Sequence, residues 1–267
     1  MSALGDIAGV DLGEHVASYT PRDVILYALA VGAPPDRLDL VYERDLLALP
    51  TLAAALGLWA VEAAGRLGAY DRRNSLHASQ QLRIHRPLEP KASLRMRGRI
   101  GHVWDKGKAA IVEVEVESDA FAATYSIFLP GLGGWGGERG PSTRAPEVAP
   151  HWRRRYETAP DQAALYRLTG DLHPIHIDPA VAAANGFDRP ILHGLCTLGI
   201  AAREAADAVG AHPADLRELD ARLAAPVLPG QTLEVIGEPL NGTEVRFEAR
   251  AGEALAISAG RARFAHR

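Results

Sequence analysis

Cysteine is nearly absent from this chain, since Cys196 is the single one among 267 residues. One thiol cannot form an internal disulfide, so the composition predicts a reducing compartment such as the cytoplasm. The neighbours of Cys196 are apolar, and no basic group beside it marks a reactive thiolate. It is therefore interpreted as a small buried hydrophobic residue and not as a nucleophile.

Long uncharged apolar stretches and an excess of positive charge are also lacking. The longest apolar run, residues 46–61, contains Pro50 and is followed by Glu62, so it is too short to cross a bilayer. The chain has 29 Lys and Arg residues against 33 Asp and Glu residues, a net charge of -4. Phosphate binding requires concentrated positive charge. The sequence therefore predicts neither a membrane partner nor a nucleic-acid partner.

The apolar residues that are present, 47% of the chain, can build one large domain or two small ones. Thr20 and Pro21 predict a helix start, and the helix should end near Gly32. Residues 38–42 predict a short strand, and residues 51–67 predict a long helix that is apolar on nearly all faces. Alternating β-branched residues then predict strands over residues 81–85, 93–104, 109–117 and 120–129.

The second half of the chain repeats the first. The segment PRDVILYALAVG at residues 21–32 resembles PDQAALYRLTG at 160–170, and LPTLAAALGL at 49–58 resembles LHGLCTLGIA at 192–201. Strands are again expected near the end of the copy, over residues 233–237, 244–251 and 255–264. Where the second copy has Asp171, the first has apolar residues, so any chemistry is expected in the second copy.

Residues 171–194 carry the groups that could perform this chemistry. Asp171 and His176 flank Pro174 in an irregular segment, where a carboxylate and an imidazole can hold one water and move its proton. Gly194 opens an apolar helix, and its backbone N–H could stabilise a developing oxyanion by about 3–4 kcal/mol. Asp178 precedes a proline and an alanine run, a pattern typical of a helix N-cap.

A metal site is the alternative reading of the same segment. Together with His173 and His193, these residues supply three imidazoles and two carboxylates, which could hold zinc or iron. However, Asp178 is already assigned to a helix cap, and the spacing matches no zinc pattern. The sequence therefore predicts no metal.

A glycine-rich segment, residues 130–141, separates the two copies. Its composition favours an interdomain linker. The alternative is a loop whose backbone approaches a ligand, with Trp135 as a stacking surface and Arg139 as a phosphate partner.

The segments YRLTGDLHPIHIDP (166–179) and GFDRPILHGLCT (186–197) resemble the hydratase 2 signature of MaoC-like (R)-specific enoyl-CoA hydratases. LHASQ (76–80), WDKGKA (104–109) and GGWGG (133–137) resemble first-half motifs of the two-domain members. The resemblance implies an α+β double hot dog fold, with two antiparallel sheets each wrapped round a long central helix, residues 51–67 and 194–209. It also implies two domains, a non-catalytic acyl-chain and CoA-binding domain over residues 1–148 and a catalytic domain over 149–267.

The implied reaction is the reversible hydration of trans-2-enoyl-CoA to (R)-3-hydroxyacyl-CoA. The CoA thioester is the substrate, no further cofactor is implied, and a homodimer is left as an alternative. The chain departs from the family at His173, where members usually have Asn, and at Ala78 and Ser79, where many have Gly and Glu. The implied site comprises catalytic Asp171, His176 and Gly194, and substrate or CoA contacts from His193, His173, Gly134, Trp135, Gly136 and Arg139.

Two other functions stay open at this point. A hot dog thioesterase would hydrolyse the thioester and release free CoA. A non-catalytic acyl-thioester-binding subunit would bind acyl-CoA tightly without hydrating it.

Overall fold

The computed structural model describes residues 4–142 and 146–266. Part of the glycine- and proline-rich segment between the copies, residues 143–145, thus lies outside the described residues. The strands are β1 Asp11–Tyr19, β2 Leu76–Ile84, β3 Ala92–Asp105, β4 Ala109–Ser118, β5 Phe121–Pro130, β6 Trp152–Glu157, β7 Leu216–Leu223, β8 Thr232–Asn241, β9 Glu244–Ala251 and β10 Ala254–Phe264. The α-helices are α1 Pro21–Ala30, α2 Leu38–Val41, α3 Leu52–Leu56, α4 Leu58–Arg66, α5 Gln162–Tyr166, α6 Pro179–Ala184 and α7 Gly194–Ala208.

All ten of these strands form one antiparallel sheet, in the order β1-β3-β4-β5-β2-β7-β10-β9-β8-β6. From its outer edge inward, the first half has the order β1-β3-β4-β5-β2 and the second half has the equivalent order β6-β8-β9-β10-β7. This correspondence supports the internal repeat predicted from the sequence. Two sheets were expected, and the structure has a continuous one. The reason is the pairing of β2 with β7, which satisfies backbone groups that two separate sheets would leave exposed at their edges.

The central helix of the second half is present as predicted. Helix α7 is buried from Leu195 to Ala206 and packs against all five strands of its half, β6 to β10. Most of its buried residues are small or apolar, as expected of a helix covered on several sides.

The long helix predicted over residues 51–67 is divided at Gly57 into α3 and α4. The Tyr125 hydroxyl donates to the Ala54 carbonyl at 2.7 Å. In an uninterrupted helix that carbonyl would accept from the N–H of Leu58, four residues on. Gly57 leaves the space for the hydroxyl, because an added Cβ would be 2.2 Å from the oxygen of Tyr125.

The strand predicted over residues 38–42 is wrong, because Leu38–Val41 is a helical turn. Its bonds are local, with the Leu40 N–H donating to Arg37 at 2.8 Å and the Tyr42 N–H donating to Leu38 at 3.0 Å. Within the described residues, no helix combines the length and apolar character needed to span a bilayer.

The break at Gly57 gives a stability prediction. Gly57→Ala should lower the free energy of unfolding by about 1–3 kcal/mol through the clash with Tyr125, although Ala is otherwise favoured over Gly in a helix by about 1 kcal/mol. In a Tyr125→Phe background the same change should be neutral or stabilising, since the hydroxyl is gone. Denaturant unfolding of the four proteins in this double-mutant cycle measures the coupling, and simple additivity of the two changes would contradict the explanation.

Candidate active site

The segment that carries the predicted residues is a folded loop between α5 and α6. It holds two 3-10 turns, Arg167–Thr169 and Pro174–His176. Gly170 lies between them at a φ of 128°, a backbone conformation that residues with a side chain rarely adopt. Asp178 caps α6 as predicted, accepting from the N–H of Ala180 at 2.8 Å. Gly170 and Asp178 therefore fix the backbone at the two ends of the segment that carries Asp171 and His176.

The structure brings Asp171, His176 and His193 together. One polar side-chain atom from each residue lies within 4.8 Å of the other two. Three atoms so spaced all lie within roughly 2.8 Å of a common point, which is a normal hydrogen-bond length to water. The spacing of the three atoms therefore matches that of groups that bind one water in common.

The tautomer of His176 follows from its partner. Its Nδ1 lies 2.9 Å from the carbonyl oxygen of Ile191, which can only accept, so Nδ1 carries the hydrogen and Nε2 keeps a lone pair. Burial lowers the pKa of His176, against the opposing charge of Asp171. The imidazole is consequently neutral at pH 7 and can act as a proton acceptor.

His193 lies behind His176 and is fully buried. Its Nε2–H donates to the backbone carbonyl of Asp171 at 3.2 Å, and its ring stacks on that of His176 with 3.7 Å between centroids. Burial, together with the nearby His176, lowers the pKa of His193 to about 3. His193 therefore adds no positive charge to the site.

Gly194 is the first residue of α7, where the backbone N–H has no partner inside the helix. A Cβ at this position would be 2.6 Å from Cδ1 of Leu223, at the end of β7. A side chain at position 194 would therefore require the Leu223 side chain to move.

His173 lies on the exposed side of the loop. Its Nδ1 accepts from the Ile175 N–H at 3.3 Å and so caps the turn Pro174–His176. Its ring is 6.1 Å from that of His176. The side chain is accessible, and its described contacts are those of a turn cap.

The sequence reasoning did not assign His77, which comes from the first half. Burial lowers its pKa to about 4, while the charge of Asp171 acts in the opposite direction, which places the two side chains in one electrostatic environment. The register of β2 with β5 shifts between His77 and Ser79, and Nε2 of His77 lies 3.1 Å from the Ser79 carbonyl oxygen. The available signal was its position in the LHASQ motif, which carries part of the family resemblance.

The glycine-rich segment folds around Asp105, a buried residue at the end of β3. One carboxylate oxygen of Asp105 accepts from the N–H groups of Gly107 at 2.8 Å and Gly134 at 2.7 Å, and the other accepts from Gly136 at 2.9 Å. These bonds hold the pKa of Asp105 below its usual range. The segment is therefore an anchored loop, and the N–H groups of Gly134 and Gly136 already have an anionic partner.

The two side chains predicted to bind ligand from this loop have different surroundings. The indole of Trp135 is half-buried against the N-terminal 3-10 turn, Leu4–Ile7, and its Nε1 would be 3.2 Å from a Cβ at Gly5. Arg139 is exposed, while Lys106 donates to its backbone carbonyl at 2.5 Å. The side chain of Arg139 is thus accessible to a ligand.

Asp171, His176 and His193 offer a carboxylate and two imidazole nitrogens, a donor set that suits water and also divalent metals. The sequence predicts no metal, and this stays a prediction.

Profiles of two protein families match most of the chain. The MaoC like domain matches residues 142–260, and the MFE-2 hydratase 2 N-terminal domain matches residues 17–129. The chain is 39% identical over 249 residues to Enoyl-CoA hydratase ChsH3 of Mycobacterium tuberculosis, covering 86% of this chain and 87% of the relative. It is 35% identical over 274 residues to the peroxisomal Enoyl-CoA hydratase 2 of Arabidopsis thaliana, covering 91% and 88%.

A solved MaoC-like dehydratase from Phytophthora capsici has the same fold, with a TM-score of 0.86 at 26% identity over 99% of this chain and 98% of that one. The architecture is therefore the MaoC-like double hot dog. The chain belongs to the MaoC-like hydratase 2 family. Since one relative is peroxisomal by name, the cytoplasmic location of this chain stays a prediction.

The anchored loop gives a second prediction. Asp105→Asn replaces one accepting oxygen with a donor, so the amides of Gly134 and Gly136 should exchange faster with deuterium. In the unaltered protein, the protection of these two amides from exchange should be complete above the pKa of an unfolded aspartate, about 3.9. It should be lost as the pH falls through the lower pKa of Asp105 in the folded protein. Asp119→Asn, in the neighbouring hairpin and bonded to Arg86, is the control. Unchanged exchange in Asp105→Asn would contradict the anchor.

Proposed function

We propose that this chain catalyses the reversible addition of water to trans-2-enoyl-CoA, giving (R)-3-hydroxyacyl-CoA, with the water held between Asp171 and His176. The enzyme class follows from the family, whose members include named enoyl-CoA hydratases. The observation that supports the mechanism is the closeness of Asp171 and the neutral His176, whose polar side-chain atoms lie within 4.8 Å of each other.

In the hydration direction, the oxygen of this water forms a bond to C3 of the enoyl group as one O–H bond breaks. His176 Nε2 accepts the released proton, because its Nδ1–H is already engaged with Ile191. The electron pair of the C2–C3 double bond moves toward the thioester, whose oxygen becomes an enolate. A proton returned to C2 from the dyad completes the product, so one water supplies both the hydroxyl group and the hydrogen.

Gly194 is proposed to stabilise the enolate. Its N–H opens α7, where the helix dipole adds partial positive charge, and the absence of a side chain lets an oxygen approach. A preorganised donor of this kind contributes about 3–4 kcal/mol to transition-state stabilisation.

The two halves are proposed to have different roles. Residues 149–267 carry out the catalysis, and residues 1–148 provide most of the binding of the acyl chain and CoA. Arg139, exposed and cationic, is the proposed phosphate contact of the loop, with Trp135 beside it. Both sequence-derived matches support a two-part chain, since one covers residues 17–129 and the other 142–260. His77 makes the first half a contributor to the surroundings of Asp171.

The dyad predicts the effect of two substitutions. Asp171→Asn and His176→Ala should each reduce crotonyl-CoA hydration by at least about 100-fold, the usual contribution of a general acid or base. The rate is measured by the loss of enoyl-thioester absorbance, and folding by thermal unfolding. Asp178→Ala is the matched control on the same loop, because it removes a helix cap worth about 1 kcal/mol and should leave the rate unchanged.

Full hydration activity in Asp171→Asn would refute the proposed mechanism. Release of free CoA without hydration would indicate a thioesterase, and tight acyl-CoA binding without turnover would indicate a binding subunit.

The proposed water mechanism also predicts the effect of metal removal. Dialysis against EDTA should leave the rate of crotonyl-CoA hydration unchanged, because His176 and Asp171 act directly on water. The dialysed and untreated enzymes are compared for activity and for bound metal by elemental analysis. Loss of activity that returns on adding Zn²⁺ would show that the three-residue cluster acts through an ion.

A further inference from the structure

His193 has no exposed surface, so its contacts with the protein define what it can do. One ring face lies 3.7 Å from the centroid of His176, at an interplanar angle of 26°. The centroid of Tyr166 is 4.8 Å away on a tilted plane. Both of these ring contacts are with other side chains of the protein. The sequence analysis instead predicts a substrate contact for His193.

The hydrogen bond of His193 joins the start of α7 to the catalytic loop. The carbonyl of Asp171 can only accept, so the hydrogen of His193 lies on Nε2. On the helix side, the N–H of Thr197 and its hydroxyl donate to the His193 carbonyl at 3.1 and 3.2 Å. The backbone of Asp171 is therefore tied to a long buried helix through one imidazole.

The stacking contact restrains the other member of the dyad. The bond from His176 Nδ1 to Ile191 fixes one edge of the ring but still allows the ring to tilt about that bond. The flat face of His193 at van der Waals distance blocks such a tilt. Nε2 of His176 is thus held toward Asp171 by two restraints in different directions.

We propose that His193 is a positioning residue for the hydration reaction, setting the distance between Asp171 and His176 through its hydrogen bond to Asp171 and its stack on His176. The inference rests on the proposed function of this site. Through these two contacts, His193 restrains both Asp171 and His176 without touching the enoyl-CoA.

The positions of the protons agree with this role. His176 and His193 each give their N–H to a backbone carbonyl, so neither ring needs a charge to keep its place. Two imidazolium rings could not stack this closely, and burial lowers the pKa of both residues. Nδ1 of His193 is buried without a hydrogen-bond partner among the described residues.

Two substitutions separate the two contacts. His193→Phe keeps a flat ring and loses the donor, whereas His193→Gln keeps a donor and loses the ring. Each should lower kcat by about 10- to 100-fold, as expected when reacting groups are displaced by a fraction of an ångström to 1 Å, with KM unchanged. His193→Ala, which loses both contacts, should be the slowest of the three.

Cys196→Ala is the matched control, because Cys196 is equally buried in the same helix and bonds to Ala30 rather than to the loop. It should retain the wild-type kcat. A rise in KM with unchanged kcat in the His193 variants would identify a substrate contact and overturn the positioning role. Wild-type kcat in both His193→Phe and His193→Gln would also overturn it.

A measurement on the unaltered protein covers the case in which the variants fold poorly. Imidazole ¹⁵N spectra should show His193 as the Nε2–H tautomer with no titration between about pH 5 and 8. A titrating His193, or the other tautomer, would refute the proposal. If the unaltered enzyme is inactive on enoyl-CoAs of every length, the proposed function fails instead; if it is active and the variants match it, the positioning role alone fails.

Discussion

The pairing of β2 with β7 is the contact on which the rest of the molecule depends. Over five residue pairs, Ser79 to Arg83 on β2 align with Arg222 to Glu218 on β7. The guanidinium of Arg83 adds two bonds to the carboxylate of Asp220, both 2.9 Å, across the same junction. Because this pairing joins the halves, the end of β2 that carries His77 and the end of β7 that lies against Gly194 meet at one place.

The chemistry proposed for this place depends on a restrained electrostatic environment. An imidazole must be neutral to accept a proton, and burial favours the neutral form of His176 at neutral pH. The carboxylate of Asp171 is half-buried beside it, where it accepts from the N–H of His173 at 3.2 Å. In the proposed mechanism the two groups share a water, so that a proton can move between them without leaving the site.

Much of this site could be predicted from the sequence, because its residues are local in the chain. Asp171, His176 and Gly194 lie within one span, and the turn and cap signals around them are specific. His77 could not be placed in the same way, since its proximity to Asp171 depends on the strand pairing between the halves. Such long-range pairings leave no trace in a local pattern.

The fold was predicted well where the burial pattern is regular and poorly where it is not. The interior strands β3 to β5 alternate clearly between buried and more exposed residues, and the sequence predicted all three. The edge strands β1 and β6 expose most of their residues, and β7 carries charged side chains that pair across the sheet, so none of the three shows a clear apolar alternation. The break at Gly57 was missed because it depends on a hydroxyl from β5, Tyr125.

The order of strands also has a consequence for how this architecture could diverge. Two identical units associating through β2 and β7 would have to keep the same residues in both, because one gene would encode each copy. In a single chain the linker keeps the partner at high effective concentration however dilute the protein is. One half was therefore free to have apolar residues where the other has Asp171, and to change independently of it.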